Sequence, residues 1–432
     1  MSDEPRLLRP DRRQPSFDVV DLDSQLPEDH MARIVWRYVE GLDVSPLEAR
    51  LKARGSEPGR PAIDRRLYLA LWLYATLDGV GAARELERLC REHTAYRWLC
   101  GGVGVNHNSL GSFRLEAGAF LDDLLTRSVA ALVHQGLVSL DCVAVDGVRV
   151  RASAGSSSFR REPTLKELHM AAQEKVKALR EEIDLDPGAA SKRRQAARRR
   201  AVEEREAKIA AALEEEKKIE AEREEEAKKQ RRKEPKGKEP RASTTDPEAR
   251  VMKMADGGFK PAYNLQVRTD PKSGVVVGFD ATNKASDRGQ LTPAIKDIEQ
   301  RYHVAPNRAL ADGGYDGRDD IEHLETTRRV EVFCPLPGSK GRPGDPTPKR
   351  GDGPGVKAWR ERMSTEEGVA IYRKRFAAER PHADMRNRGL TRVLVRGLKK
   401  VRAVALWYVT AYNFLQTLFL VRTRGGVRPV AA

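Results

Sequence analysis

The chain is poor in the features that would place it outside a reducing compartment. It has four cysteines, Cys90, Cys100, Cys142 and Cys334, and none is spaced as CxxC, so a zinc site built on cysteine pairs is not expected. Each lies among apolar neighbours and reads as a buried free thiol. The opening stretch MSDEPRLLRPDRRQ mixes both signs of charge without an apolar run, so no secretory leader is expected. Long uncharged stretches are scarce. The one near membrane-spanning length, residues 403–421, is interrupted by Thr410, Asn413, Gln416 and Thr417, and holds Tyr408 and Tyr412 inside it rather than at its ends. A helix buried on a protein core is the better expectation, with no membrane partner. An acidic surplus is also missing. Lys and Arg number 79 against 64 Asp and Glu, a net charge of +15. That balance suits a polyanion, nucleic acid before an anionic membrane, although an arginine-rich soluble protein has it too.

Residues 25–136 read as an all-α N-terminal domain after a flexible segment, 1–24. Leu67, Leu71 and Tyr74 recur at helical spacing, as do Leu86, Leu89 and Cys90. One helix is predicted from about Ser109 to Gln135, closed by Gly136. If this unit binds DNA through a helix-turn-helix, Arg114 and Asn106-His107-Asn108 face the nucleic acid. A plain helical scaffold is the equal alternative.

Beyond Gly136 the texture changes. VSLDCVAVDGVRV, residues 138–150, is dense in β-branched side chains and predicts a strand. Residues 159–245 carry mixed-charge runs such as EEEKKIEAEREEEAKKQRRK. Glu214 with Lys218 and Glu224 with Lys228 stand at stabilising helical spacing, but no heptad is sustained. The segment reads as a charged helical or partly disordered insertion. Its basic block, including Arg198 and Arg199, is a candidate phosphate contact, with a solvated face as the blander reading. Strands return near residues 263–268 and 274–279 across an Asp270–Ser273 turn. A helix capped by Thr292 follows, then strands at 308–311 and 330–334 separated by a short helix, and two more helices. This order predicts a mixed sheet flanked by helices, compatible with a ribonuclease-H-like α/β fold over residues 137–158 and 246–432.

Three acids stand out. Asp146 lies inside the apolar run Val143-Ala144-Val145-Asp146-Gly147, where a carboxylate is costly unless paired or bound to metal. Asp312 ends the apolar run Ala309-Leu310-Ala311 and precedes Gly313-Gly314-Tyr315-Asp316, glycines that admit a tight turn and a close phosphate. Glu379 is separated from Tyr372 and Arg375 by steps that share one helix face. Pro381 predicts a kink or stop just beyond it, leaving Arg386 less firmly placed. Phosphodiester cleavage and strand transfer need a few such acids converging on hard divalent ions.

In these residues the chain resembles bacterial insertion-sequence transposases of the DDE class. Tyr372, Arg375 and Glu379 match the family's Y-x2-R-x3-E-x6-K signature in type and spacing, with Arg386 in place of its Lys. Asp256-Gly257-Gly258-Phe259 and Asp312-Gly313-Gly314-Tyr315-Asp316 resemble its second strand and second catalytic Asp. The resemblance implies a metal-binding catalytic triad of Asp146, Asp312 and Glu379 holding Mg2+, or Mn2+. It implies contacts of Tyr372, Arg375 and Arg386 with DNA near the cut end. The implied partners are the inverted-repeat ends of the element and target DNA, met as a homodimer on DNA in the cytoplasm, at the nucleoid. A ribonuclease-H-like nuclease without strand transfer has the same residues. A decayed, DNA-binding repressor predicts damage to the triad, which is intact. A membrane-associated or coiled-coil protein leaves the acids unexplained.

Overall fold

The computed structural model describes residues 21–49, 51, 62–185, 192–229, 239–338 and 344–423. The expected flexible segment 1–24 falls outside them except for residues 21–24. The helices α1 (Met31–Glu40), α2 (Ser45–Glu48), α3 (Arg65–Leu77), α4 (Ala83–Glu92), α5 (Thr94–Cys100), α6 (His107–Glu116) and α7 (Gly118–His134) come first. The strand β1 (Cys142–Arg151) follows. The short strands β2 (Phe159–Arg160) and β3 (Ala242–Ser243) pair at the root of two long helices, α8 (Glu162–Leu185) and α9 (Lys192–Lys229), which pack on each other. Next come β4 (Arg250–Lys253), β5 (Phe259–Thr269), β6 (Val276–Thr282), α10 (Leu291–Tyr302), β7 (Arg308–Ala311), α11 (Arg318–His323) and β8 (Glu331–Phe333). The chain closes with α12 (Pro354–Ser364), α13 (Glu366–Arg373), α14 (Glu379–Asn387) and α15 (Leu398–Thr423).

The sheet runs β6-β5-β1-β7-β8, with β4 on the same side of β5 as β6. β5 is antiparallel to β1 and β6, whereas β1, β7 and β8 are parallel. Three antiparallel strands followed by two parallel ones, with helices packed around them, make the expected ribonuclease-H-like α/β fold. β1 is central and buried on both sides, which explains its nearly continuous apolar run.

One apolar cluster extends from α1 through the sheet to α15, so the early helices share a core with the strands. The uncharged stretch 403–421 lies within α15, which is long and apolar enough to cross a membrane but packs on α3, α7 and β6. Its polar residues serve that packing. Asn413 donates to Val276 O at 2.7 Å and accepts from Val276 N at 2.9 Å, capping the outer edge of β6. Tyr412 and Gln416 donate to Gly274 O and Ser273 O in the β5–β6 turn. Arg402 of α15 and Arg301 of α10 both pair with Asp122 of α7, tying three helices together.

The structure corrects several local expectations. The helix expected over 109–135 is two, broken at Ala117, because α15 crosses there. A Cβ on Gly118 would lie 2.7 Å from that of Ala403. Thr292 does not cap α10; Leu291, fully buried, is drawn into the helix ahead of it, and the Thr292 hydroxyl has no partner. The described part of the insertion is helical apart from β2, β3 and the residues beside them. Lys218, expected with Glu214, pairs instead with Glu215, and Glu214 pairs with Lys217. The insertion has its own small apolar cluster of Leu165, Ala212, Leu213 and Ala242.

Candidate active site

The register of the parallel strands determines where the acids meet. Val145 on β1 pairs with Ala311 on β7, so Asp146 and Asp312, the next residues of each, emerge side by side. Asp146 is still within β1. Asp312 has just left β7 and caps a turn of 3-10 helix, accepting Gly314 N–H at 2.8 Å. Its carbonyl accepts the buried Cys334 thiol at 3.0 Å, which anchors the turn to the end of β8. The Asp146 carboxyl accepts Gly147 N–H at 2.9 Å and is 14% exposed. Burial pushes it up to about 6; nearby Arg375 opposes the rise, and the charges of Asp312 and Asp287 add to it.

Glu379 arrives from the C-terminal helices, though not on the continuous helix expected over 372–379. Tyr372 lies in the last turn of α13, Arg375 in a 3-10 stretch from Lys374 to Ala378, and Glu379 opens α14. The interruption precedes Glu379 instead of following it. Proline clashes with the carbonyl four residues earlier in an α-helix, so the chain tightens before Glu379 and restarts with Pro381 in a first turn, where no proline N–H is needed. Arg386 therefore shares α14 with Glu379, and it is exposed. Arg375 still brings Tyr372 and Glu379 together. Arg375 sends Nη1 to Asp146 Oδ2 at 3.4 Å and Nη2 to Glu379 Oε1 at 2.8 Å, and its guanidinium lies 6.0 Å from the Tyr372 ring centre.

Other expected contacts lie elsewhere. Arg114 is a correction: it is buried, donates to Gly81 O at 2.6 Å and lies 4.4 Å from the Trp72 ring centre. It shares the inner face of α6 with Leu110 and Phe113, a position legible from their spacing. Asn106 caps α6 by accepting Ser109 N–H, and His107 bonds Glu87. Arg198 and Arg199 lie on the insertion, paired with Glu182 and Glu203.

Two residues of the site escaped the sequence reading. His382, one turn beyond Glu379, is buried with Nε2 3.5 Å from Asp146 Oδ2, and neither ring nitrogen has a hydrogen-bond partner. Burial, with Arg386 and Arg375 nearby, takes its pKa down to about 3 and keeps it neutral. Its helical spacing from Glu379 was the available signal. Asp287, in the polar loop after β6, accepts Asn264 Nδ2 at 2.6 Å, Gln266 Nε2 at 2.8 Å and Arg149 Nη2 at 3.3 Å. Nothing in that loop's composition distinguishes it.

Two family profiles match the chain. The profile described as "Transposase DDE domain" covers residues 229–414, and "Transposase domain (DUF772)" covers residues 20–116. The chain belongs to the DDE transposases of insertion sequences. Asp312 and Glu379 fall inside the first match; Asp146 lies outside it and enters through the strand register. No curated protein and no solved structure matches. DDE transposases act on DNA and generally use divalent metals. Among the described residues no three acidic, histidine or cysteine side chains already form a metal cage. Here Arg375 supplies the positive charge between Asp146 and Glu379.

Proposed function

We propose that this transposase binds the ends of its own element and, with Mg2+ or Mn2+, cuts DNA there and joins the ends to target DNA. The observation that carries the reading is Asp146 within β1 standing beside Asp312, just past the end of the parallel β7, with Glu379 tethered to Asp146 through Arg375. The donor set fits a hard divalent ion. It consists of carboxylate oxygens, one in a buried place where its charge is otherwise costly, beside an unpartnered imidazole. Asp146, Asp312 and Glu379 are the residues that would hold it. When bound, divalent ions supply activation of the attacking oxygen and stabilisation of the leaving one.

The chain's own residues orient the rest. Gly147 N–H holds Asp146, and neutral His382 lies 3.5 Å from its Oδ2 on another side. The planar fork of Arg375 now spans two carboxylates and suits two phosphate oxygens equally well. Tyr372 offers a ring beside it, and exposed Arg386 reaches the backbone from the same helix as Glu379. Residues 25–136 are proposed to recognise the element's ends, Arg198 and Arg199 to add phosphate contacts, and two copies to assemble on DNA.

The test is cleavage of labelled duplex carrying the element's ends. Asp146→Asn, Asp312→Asn and Glu379→Gln should each lose activity by about a hundredfold or more, with duplex binding retained. Full Mg2+-dependent cleavage by any one removes that residue from the site. Products nicked but never joined to target reduce the function to a nuclease.

A further inference from the structure

We infer that Asp287 is a positioning residue of this site, the hub that sets where Asp146 and Asp312 stand relative to one another. The inference rests on the proposed metal-dependent reading and deepens it. Asp287 belongs neither to β1 nor to the turn that Asp312 caps, yet its carboxylate is linked to both. Oδ1 accepts the amides of Asn264 and Gln266, neighbours on one face of β5. Oδ2 pairs with Arg149 of β1, three residues beyond Asp146. Gln266 in turn accepts Tyr315 O–H at 2.5 Å, and Tyr315 belongs to the turn that Asp312 caps. One carboxylate therefore links the strand of Asp146, the turn of Asp312 and β5 between them and the loop.

The backbone is cut away to admit it. A Cβ on Gly147, the residue after Asp146, would lie 2.5 Å from Asp287 Oδ1. A Cβ on Gly314 would lie 2.9 Å from Asp312 Oδ1 and 3.5 Å from Asp287 Oδ2. Any side chain at either position would push Asp287 out or shift an aspartate. The pocket also holds an unpartnered group. Asn264 is fully buried, its Oδ1 has no hydrogen-bond partner, and that oxygen lies 3.0 Å from where the Gly147 Cβ would be. The charges of Asp312 and Asp287 both act on Asp146, and the orphaned amide oxygen lies beside them. Asp287, held by three donors, is the fixed member against which the other two are set.

The experiment is Mn2+ binding to the full chain, followed by electron paramagnetic resonance, beside the Mg2+ dependence of end cleavage and thermal unfolding. Asp287→Asn turns an amide toward the amides of Asn264 and Gln266. The metal concentration for half-saturation should rise about tenfold or more, cleavage should recover at high Mg2+, and binding of end DNA should not change. Tyr315→Phe removes only the link from Gln266 to the turn. It should raise the metal requirement a few-fold and decides the matter if Asp287→Asn does not fold. A lowered melting temperature with an unmoved metal midpoint makes Asp287 merely structural and overturns the inference. Asp146→Asn separates the two failures. If it abolishes Mn2+ binding while Asp287→Asn and Tyr315→Phe leave it alone, only this inference falls. If Asp146→Asn also binds Mn2+ normally, the metal-dependent reading falls with it.

Discussion

Arg375 stands 3.4 Å from Asp146 with one arm of its guanidinium while the other holds Glu379 at 2.8 Å. The same side chain thus neutralises two acids that would otherwise repel, on elements distant in sequence. Without added metal, Arg375→Ala should leave a largely buried carboxylate unpaired and cost about 2 kcal/mol of stability. Saturating Mg2+ should recover part of that loss. Thermal unfolding with and without Mg2+ is the measurement, and parent-like stability in both conditions contradicts the pairing.

Arg386 provides the contrast. It is exposed on α14, so Arg386→Ala should change stability by no more than about 0.5 kcal/mol. If it binds the DNA backbone, the log–log salt dependence of end binding should flatten by about 0.9 for each phosphate the variant no longer neutralises. A salt series identical to the parent's would make it a solvated surface charge.

The α8–α9 hairpin has its own apolar cluster and meets the rest through β2, β3 and the ion pair of Glu215 with Arg250, 2.6 Å long and largely buried. Deleting residues 165–240 should leave a cooperatively folding protein, with a loss of about 1–3 kcal/mol from the unpaired Arg250. Replacing Arg250 with Met in the deletion variant should return most of it. Circular dichroism and urea unfolding decide, and a non-cooperative product would place the hairpin within the common core.

Asp246 gives a pH dependence away from the acids of the site. It is fully buried, accepts Tyr263 O–H and Gly397 N–H through Oδ1, and has no partner at Oδ2. Burial outweighs those bonds and raises its pKa. The folded chain therefore holds this proton more tightly than the unfolded one. The cost is absent below the unfolded value, grows as pH rises through the folded value, and is complete above it. Asp246→Asn keeps both accepted bonds, so it should stabilise the protein at pH 8, with the advantage shrinking as the pH is lowered toward 4. A difference that does not change with pH would contradict this.

The legible parts of the molecule were those governed by local pattern. The apolar run before Asp146, the one before Asp312 and the hairpin around Asp270 fixed the strands, because a central strand buried on both faces must be apolar throughout. The buried fate of residues 403–421 showed in Asn413 and Gln416, polar groups that a membrane would not accommodate but a strand edge can use. What escaped depended on tertiary partners. Asp287 became part of the site only when β5 brought Asn264 and Gln266 to it. Arg114, a DNA contact if the helical unit is a helix-turn-helix, is instead turned inward by its spacing from Leu110 and Phe113, where Trp72 and the Gly81 carbonyl receive it. The break before Glu379 followed from Pro381, whose effect falls upstream of the ring.

The central claim is that Asp312 and its neighbours hold a divalent ion for phosphodiester chemistry, and replacing Asp312 with Cys tests it most directly. A thiolate is a poor ligand for Mg2+ and a better one for softer ions. The account predicts that Asp312→Cys binds end-containing DNA, fails to cleave it in Mg2+ and regains measurable cleavage in Mn2+, whereas Asp312→Asn stays inactive in both. Cleavage by Asp312→Cys in Mg2+ at the parent's rate would contradict it.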